Sequence, residues 1–450
     1  MSIPVLMIIS STPSLVSSAT GGNGDDGSSS GVPSGVTIDP DFTPIPLSLS
    51  EGETLTADLV GASEAPTFVV RGFVEGTLED PPQEIDGVTI YSDPTIDGVP
   101  TCGGDTPVGT WNDVQTLLDT ASLAAKDMDG TNVAVVIMDT GINLDYLTNK
   151  LGFTPEFDSA NSWQPKGASS APGQWPIETD PNSLGLNHGT MCAFDALIAA
   201  PKATLVEGAV LRNPPPGASI MSGPLSNALA AFTAVLASWK DTNNSDGLSK
   251  YAGVVLSNSW GIFHPSWDFP AGHPGRYCDN PRHPFNRILE PMARAGIDVV
   301  FAAGNCGSDC PDGRCQNRTT EAIMGASAMV DVFSIAGADT NGDRVGYSSQ
   351  GPSIPGMYDM KPDITSYTHF SGSEVFGAGT PDSGTSAACP VMAGCIAAIR
   401  TKVSPLSPAT PYMLYDHFRT DAKTPAGQSA DWNGDYGYGL VDVVAVSNRF

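Results

Sequence analysis

Val133-Ala-Val-Val-Ile-Met138, running straight into Asp139-Thr140-Gly141, decides the fold class. Six apolar residues in a row show no alternation, so they read as a strand buried on both faces. Short apolar runs bounded by turn residues recur at 205–211, 254–258, 299–303 and 332–336. Between them, Asn227–Trp239 and Arg287–Ala295 carry apolar residues three and four apart, the spacing of amphipathic helices. Buried strands alternating with helices predict an α/β domain over residues 106–450. Its sheet is doubly wound and mostly parallel, with helices on both faces. No internal repeat is visible.

Sheets of this kind gather chemistry beyond the C-terminal ends of their strands. The residues after each run therefore matter most. Asp139 ends the first run, well placed to orient another group, although a turn-forming aspartate reads the same in isolation. His188, in Asn187-His188-Gly189-Thr190, opens an apolar helix. Ser259-Trp260-Gly261 carries the third run into glycine, and Ala303-Gly304-Asn305 ends the fourth. Ser386, in Ser383-Gly-Thr-Ser-Ala-Ala-Cys-Pro390, stands at a helix start, where free N–H groups and the positive dipole end favour developing negative charge. Together these supply a nucleophile, a base, an orienting carboxylate and an amide donor. Their chain order, Asp then His then Ser, is one of the known serine-hydrolase orders.

The blocks VAVVIMDTGI, NHGTMCA, LSNSWG, FAAGN and SGTSAACPVMAG resemble those of the subtilisin-like serine proteases, over roughly residues 115–450. The resemblance implies Ser386 as nucleophile, His188 as general base, Asp139 as its orienter and Asn305 as oxyanion donor. It implies that Ser259, Trp260 and Gly261 form an edge for an extended peptide. Ala303 and Gly304 then wall the pocket for the residue before the scissile bond. Gly261 and Gly304 suggest an open pocket that takes bulky apolar side chains. Two positions depart from the family pattern, Asn187 before the histidine and Cys389 after the serine, and neither is a catalytic group. The expected activity is a broad-specificity endopeptidase, with a dedicated maturation protease and a catalytically silent binding protein as alternatives. No cofactor is required and no metal site is assigned. The family often binds structural calcium, but Asp339-Thr-Asn341-Gly-Asp343 lacks the later positions of a calcium loop and reads as a turn.

Composition bounds the rest. The 450 residues carry 21 Lys and Arg against 49 Asp and Glu, a formal charge of -28 that disfavours nucleic acid as partner. No apolar run reaches the roughly 18 residues of a membrane span. Only 16% of residues are charged, with 49 glycines and 38 prolines, a composition leaning toward an exported protein; the family resemblance implies a monomer that acts on protein or peptide. Residues 1–31 read as a disordered tail or signal segment, the apolar IPVLMII being a candidate h-region without a positive start. Residues 32–105 read as a pro-segment or a small β-rich accessory region, with strands expected at 67–74 and 88–91. In the second case Cys102 is available as a tether. Of eight cysteines, Cys192 is expected beneath His188, and Cys389 and Cys395 as buried thiols. Cys306, Cys310 and Cys315 suggest disulfides in the loop after Asn305, with Cys278 as a candidate partner; zinc is disfavoured by the lack of a suitably spaced histidine.

Overall fold

The computed structural model describes residues 2–10, 32–47, 67–98, 106–180, 182–212, 221–407 and 409–450. It begins with a strand where the sequence suggested a tail. The apolar run forms β1 (Ser2–Ser10), the middle strand of an antiparallel sheet, which corrects the disordered reading for these residues. Residues 11–31 lie outside the described residues. Along its whole length β1 pairs with β4 (Thr67–Glu75), and also with β6 (Val88–Ser92). Short strands β2 (Thr37–Ile38) and β3 (Ile45–Pro46) join β4, and β5 (Glu84–Ile85) joins β6. Both faces of β1 are covered, which is why it reads as continuously apolar. Leu6 packs with the core of the following domain, while Val5 and Met7 pack with Val70, Val74 and Phe269.

The next strand, β7 (Thr95–Asp97), leaves this sheet. It pairs antiparallel with β10 (Ser222–Pro224), deep in the following domain. That domain opens with helices α1 (Trp111–Leu118) and α2 (Thr120–Ala125). Strand β8 (Val133–Met138) comes next, every residue buried. After it come α3 (Leu144–Leu151), α4 (His188–Ala199), β9 (Thr204–Gly208), α5 (Leu225–Lys240), β11 (Gly253–Asn258), α6 (Pro284–Arg294), β12 (Ile297–Ala302), β13 (Phe333–Ala338) and β14 (Ile364–Tyr367). Helices α7 (Thr385–Arg400), α8 (Pro411–Thr420) and α9 (Val443–Ser447) complete the chain.

The parallel sheet has the order β14-β13-β12-β11-β8-β9, and every neighbouring pair is parallel. Alternate residues of β8 feed opposite cores. Val133, Val135 and Ile137 meet α4 and α7 on one face; Ala134, Val136 and Met138 meet α5 and α6 on the other. The chain steps outward from β8 to β9, then returns to place β11 on the far side of β8. The order therefore reverses between β8 and β11, and a crevice opens beyond their C-terminal ends.

Two details fix the helices around that crevice. All sixteen residues of α7 are buried, and it crosses α4 closely: a Cβ on Gly394 would lie 2.2 Å from the Ala196 carbonyl oxygen. Helix α5 starts after Pro224, which has no side chain to cap it. Asp93 from the N-terminal region does so instead, accepting from Ser226 N at 2.8 Å and Ser226 Oγ at 3.0 Å. Arg71 holds that carboxylate at 2.6 Å.

Candidate active site

The crevice gathers the predicted side chains from four separate elements. Asp139 follows β8 directly, and its N–H donates to the Gly208 carbonyl at 2.8 Å. Its carboxylate, fully buried, accepts from Thr140 N at 2.7 Å. His188 is the first residue of α4, 1% exposed, and its Nδ1 lies 2.9 Å from both Asp139 oxygens. The pairing puts the proton on Nδ1 and leaves Nε2 with its lone pair free. Nε2 is buried and has no hydrogen-bond partner among the described residues. Gly189 allows this approach, because a Cβ there would sit 2.5 Å from the Gly141 carbonyl oxygen. Asn187, one of the departures from the family pattern, bridges two loops by donating to the Glu178 and Val375 carbonyls at 2.9 and 2.8 Å.

Cys192 lies one helical turn after His188, as its spacing predicts. Its Sγ is 3.6 Å from Asp139 Oδ2 and 3.5 Å from the Ser386 carbonyl oxygen. Burial first, and the Asp139 charge second, push the thiol well above its ordinary pKa, so it remains a neutral donor.

Asn305 follows β12 with its amide held one way round. Its Oδ1 accepts from Thr385 N and Thr385 Oγ1, both at 2.9 Å, capping α7 where the N-cap residue Gly384 has no side chain. The Nδ2 is left buried and without a hydrogen-bond partner among the described residues. Ser386 is the second residue of α7, and its Oγ lies 3.4 Å from the Ser259 carbonyl oxygen. Four residues on, Pro390 has no N–H to give the Ser386 carbonyl in the usual helical bond. Ser259 Oγ takes that role at 2.9 Å, and Cys192 Sγ adds a second contact.

The residues predicted to bind substrate line one wall. Ser259, Gly261, Ala303, Gly304 and Asn305 surround a pocket of about 20 Å³, with Phe263 and Met324 completing it. That volume holds about one water, so in this conformation the expected room for a bulky apolar side chain is not open. Trp260 contributes backbone to the edge, while its ring is buried against Phe232, Phe285 and Phe301.

A peptide strand already lies along that edge. Asp97 and Gly261 exchange two backbone hydrogen bonds, Asp97 N to Gly261 O at 3.0 Å and Gly261 N to Asp97 O at 3.2 Å. On its other side β7 pairs with β10, and Gly98 N donates to Met221 O at 3.1 Å. A Cβ on Gly98 would be 3.6 Å from His188 Nδ1. Sequence reasoning predicted the Gly261 edge but not this occupant, nor the opposite wall at 221–224. Nor did it find Thr385, which holds Asn305.

The loop after Asn305 is closed by a disulfide, Cys306–Cys315, and Cys310 is disulfide-bonded as well. Cys278 is not their partner, which corrects the expectation. It is a buried free thiol in the core with Tyr277 and Phe285, and burial pushes its pKa up. Cys389 and Cys395 are also free and buried. The 339–343 segment is a turn, with Asp339 Oδ1 accepting from Asn341 N and Asp343 N. Among the described residues, no helix is long and apolar enough to cross a membrane.

Comparison with individual curated proteins gives no match. Comparison with protein families gives one whose model spans residues 130–439, from just before β8 to the glycine turn that precedes α9. That span takes in every element supplying Asp139, His188, Asn305 and Ser386: the chain belongs to the subtilase family.

Proposed function

We propose that the chain is a serine endopeptidase in which Ser386, His188 and Asp139 form the catalytic triad. The observation that carries this reading is the strand in the crevice: β7 is paired through its backbone on both sides, as a peptide substrate is in β-augmentation. An extended peptide held this way brings a carbonyl to Ser386. His188 Nε2 takes the Ser386 proton as Oγ attacks, and later gives it to the leaving amine. Asp139 holds the imidazole in the needed tautomer and stabilises the imidazolium. The oxyanion of the tetrahedral intermediate receives the free Asn305 Nδ2 and the Ser386 backbone N–H, one of the helix-start donors without an intrahelical partner. Water then hydrolyses the acyl-enzyme by the same relay. The mechanism needs no cofactor, and the enzyme acts as a single chain.

The same strand supports reading residues 32–105 as a pro-segment, with the full chain a zymogen. The disulfides beside Asn305 favour an oxidising, extracytoplasmic location. Fluorophosphonate labelling of the purified chain, beside Ser386→Ala, tests the reading. Labelling lost only in the variant supports it, and labelling that appears only after the N-terminal region is trimmed supports the zymogen. No labelling in either form overturns the peptidase.

A further inference from the structure

The side chain of Asp97 does not face solvent, as a residue on a cleft-spanning strand well could. It is 2% exposed and meets Arg314, whose Nη1 lies 2.9 Å from Asp97 Oδ2. The same Nη1 donates to the Gly98 carbonyl at 2.7 Å. One guanidinium nitrogen thus holds both the side chain of the residue paired with Gly261 and the backbone of the next.

Arg314 is built for this position from behind. Its Nε and Nη2 pair with Asp312 Oδ1 and Oδ2 at 2.9 and 3.2 Å, a two-point contact that fixes the plane of the fork. Its guanidinium carbon lies 4.0 Å from the centre of the Phe263 ring. Asp312 caps the short turn that carries Arg314. The Cys306–Cys315 disulfide then ties that turn to the residue after Asn305. With Nε and Nη2 occupied, Nη1 faces the peptide. Held in this plane by Asp312, Nη1 presents a charge-assisted donor that a carboxylate on the peptide can accept.

The neighbouring position is restricted in the opposite sense. A Cβ added to Gly98 would touch Leu211 at 3.4 Å, with His188 and Met221 each at 3.6 Å. A methyl group fits among these contacts, and larger side chains press on all three.

We infer that Arg314 is a specificity-determining residue: it selects peptides carrying Asp or Glu where the substrate pairs with Gly261, followed by glycine or alanine against His188. The chain runs from β7 toward His188, so the acidic residue lies on the N-terminal side of the cleaved bond. Asp97 occupies the place of that residue. This inference rests on the reading of the crevice as a peptidase cleft, and it narrows the broad specificity expected from sequence.

The test compares quenched fluorescent peptides of sequence Thr-Ile-Xaa-Gly with a common C-terminal extension, Xaa being Asp, Glu, Asn or Lys. The enzyme is the full chain, before and after limited proteolytic nicking, beside Arg314→Gln and Arg314→Glu. Wild type should cut the Asp and Glu peptides with kcat/KM about tenfold above the Asn peptide, the Lys peptide being slowest. Arg314→Gln should narrow the Asp-to-Asn ratio to about twofold or less, and Arg314→Glu should favour Lys, a gain that a misfolded variant could not show. Wild-type cleavage of all four peptides at similar rates, or an acidic preference that survives in Arg314→Gln, overturns this inference and leaves the peptidase standing. A chain that cuts no peptide and takes no fluorophosphonate at Ser386 overturns both.

Discussion

Replacing Ser259 with alanine removes a hydrogen bond that exists because of a proline 131 positions away in sequence. Pro390 cannot donate to the Ser386 carbonyl, and its ring pushes that carbonyl off the helix axis. Ser259 Oγ satisfies it at 2.9 Å, with Cys192 Sγ as a weaker second donor at 3.5 Å. A buried acceptor left short of partners costs about 1–3 kcal/mol, and the remaining thiol contact keeps the expected loss at about 1–2 kcal/mol. In a Pro390→Ala background, residue 390 regains an N–H that reaches the same carbonyl in the ordinary helical bond. There, Ser259→Ala should cost less than about 0.5 kcal/mol. The coupling, about 1 kcal/mol, exceeds the 0.3–0.5 kcal/mol scatter of independent sites. Urea midpoints of the four chains, all carrying Ser386→Ala to prevent self-digestion, measure it. That substitution leaves the carbonyl in place. Equal cost of Ser259→Ala in both backgrounds would refute the reasoning, because the hydroxyl would then be serving something other than the orphaned carbonyl.

The remaining predictions concern a proton, a donor and a contact. Asp195 and Asp382 are buried neighbouring carboxyls: burial raises Asp382 to about 6 and, with the Asp382 charge, lifts Asp195 well above the ordinary range. In both, the folded form holds a proton that the unfolded form loses near pH 4, so stability falls as pH rises from there through about 6 and beyond. Asp195→Asn, which does not titrate, should flatten that fall; urea midpoints at pH 4.5 and 7.5 check it, and an equal fall in the variant counts against the Asp195 proton. Asn305→Ala should lower kcat on a peptide substrate about 100- to 1000-fold with little change in KM, a scale measured within this same family; steady-state kinetics that show a KM effect alone would remove Asn305 from the oxyanion site. Gly394→Ala forces a methyl group to within 2.2 Å of the Ala196 carbonyl oxygen, so α4 and α7 must separate, at a cost of about 1–3 kcal/mol in urea denaturation. Because α4 carries His188 and α7 carries Ser386, activity should fall with it, and an unperturbed variant would mean that the two helices can shift freely.

The sequence by itself determined the class of fold and named the side chains that the crevice brings together. Six unalternating apolar residues at 133–138 must be covered on both faces, and their recurrence forces a parallel sheet between helices. Asp139, His188, Asn305 and Ser386 were legible because each follows a strand or opens a helix, where local backbone geometry exposes a side chain or an N–H. Strand β1 was not legible: an apolar run carries no mark of its pairing partner, and only the fold sets it beside β4. Cys278 misled for a related reason, since nearness in sequence to a cysteine-rich loop says nothing of the direction in which a side chain points. The occupant of the cleft was decided wholly by tertiary structure. Asp97 and Gly98 are an ordinary turn-like pair in sequence, and Arg314 one basic residue in a loop of aspartates. They become a clamp because a crossing strand, a backbone edge after β11 and a disulfide-closed turn after β12 converge on one point. Contacts over that sequence separation depend on the packing of the whole sheet, and no local pattern encodes them.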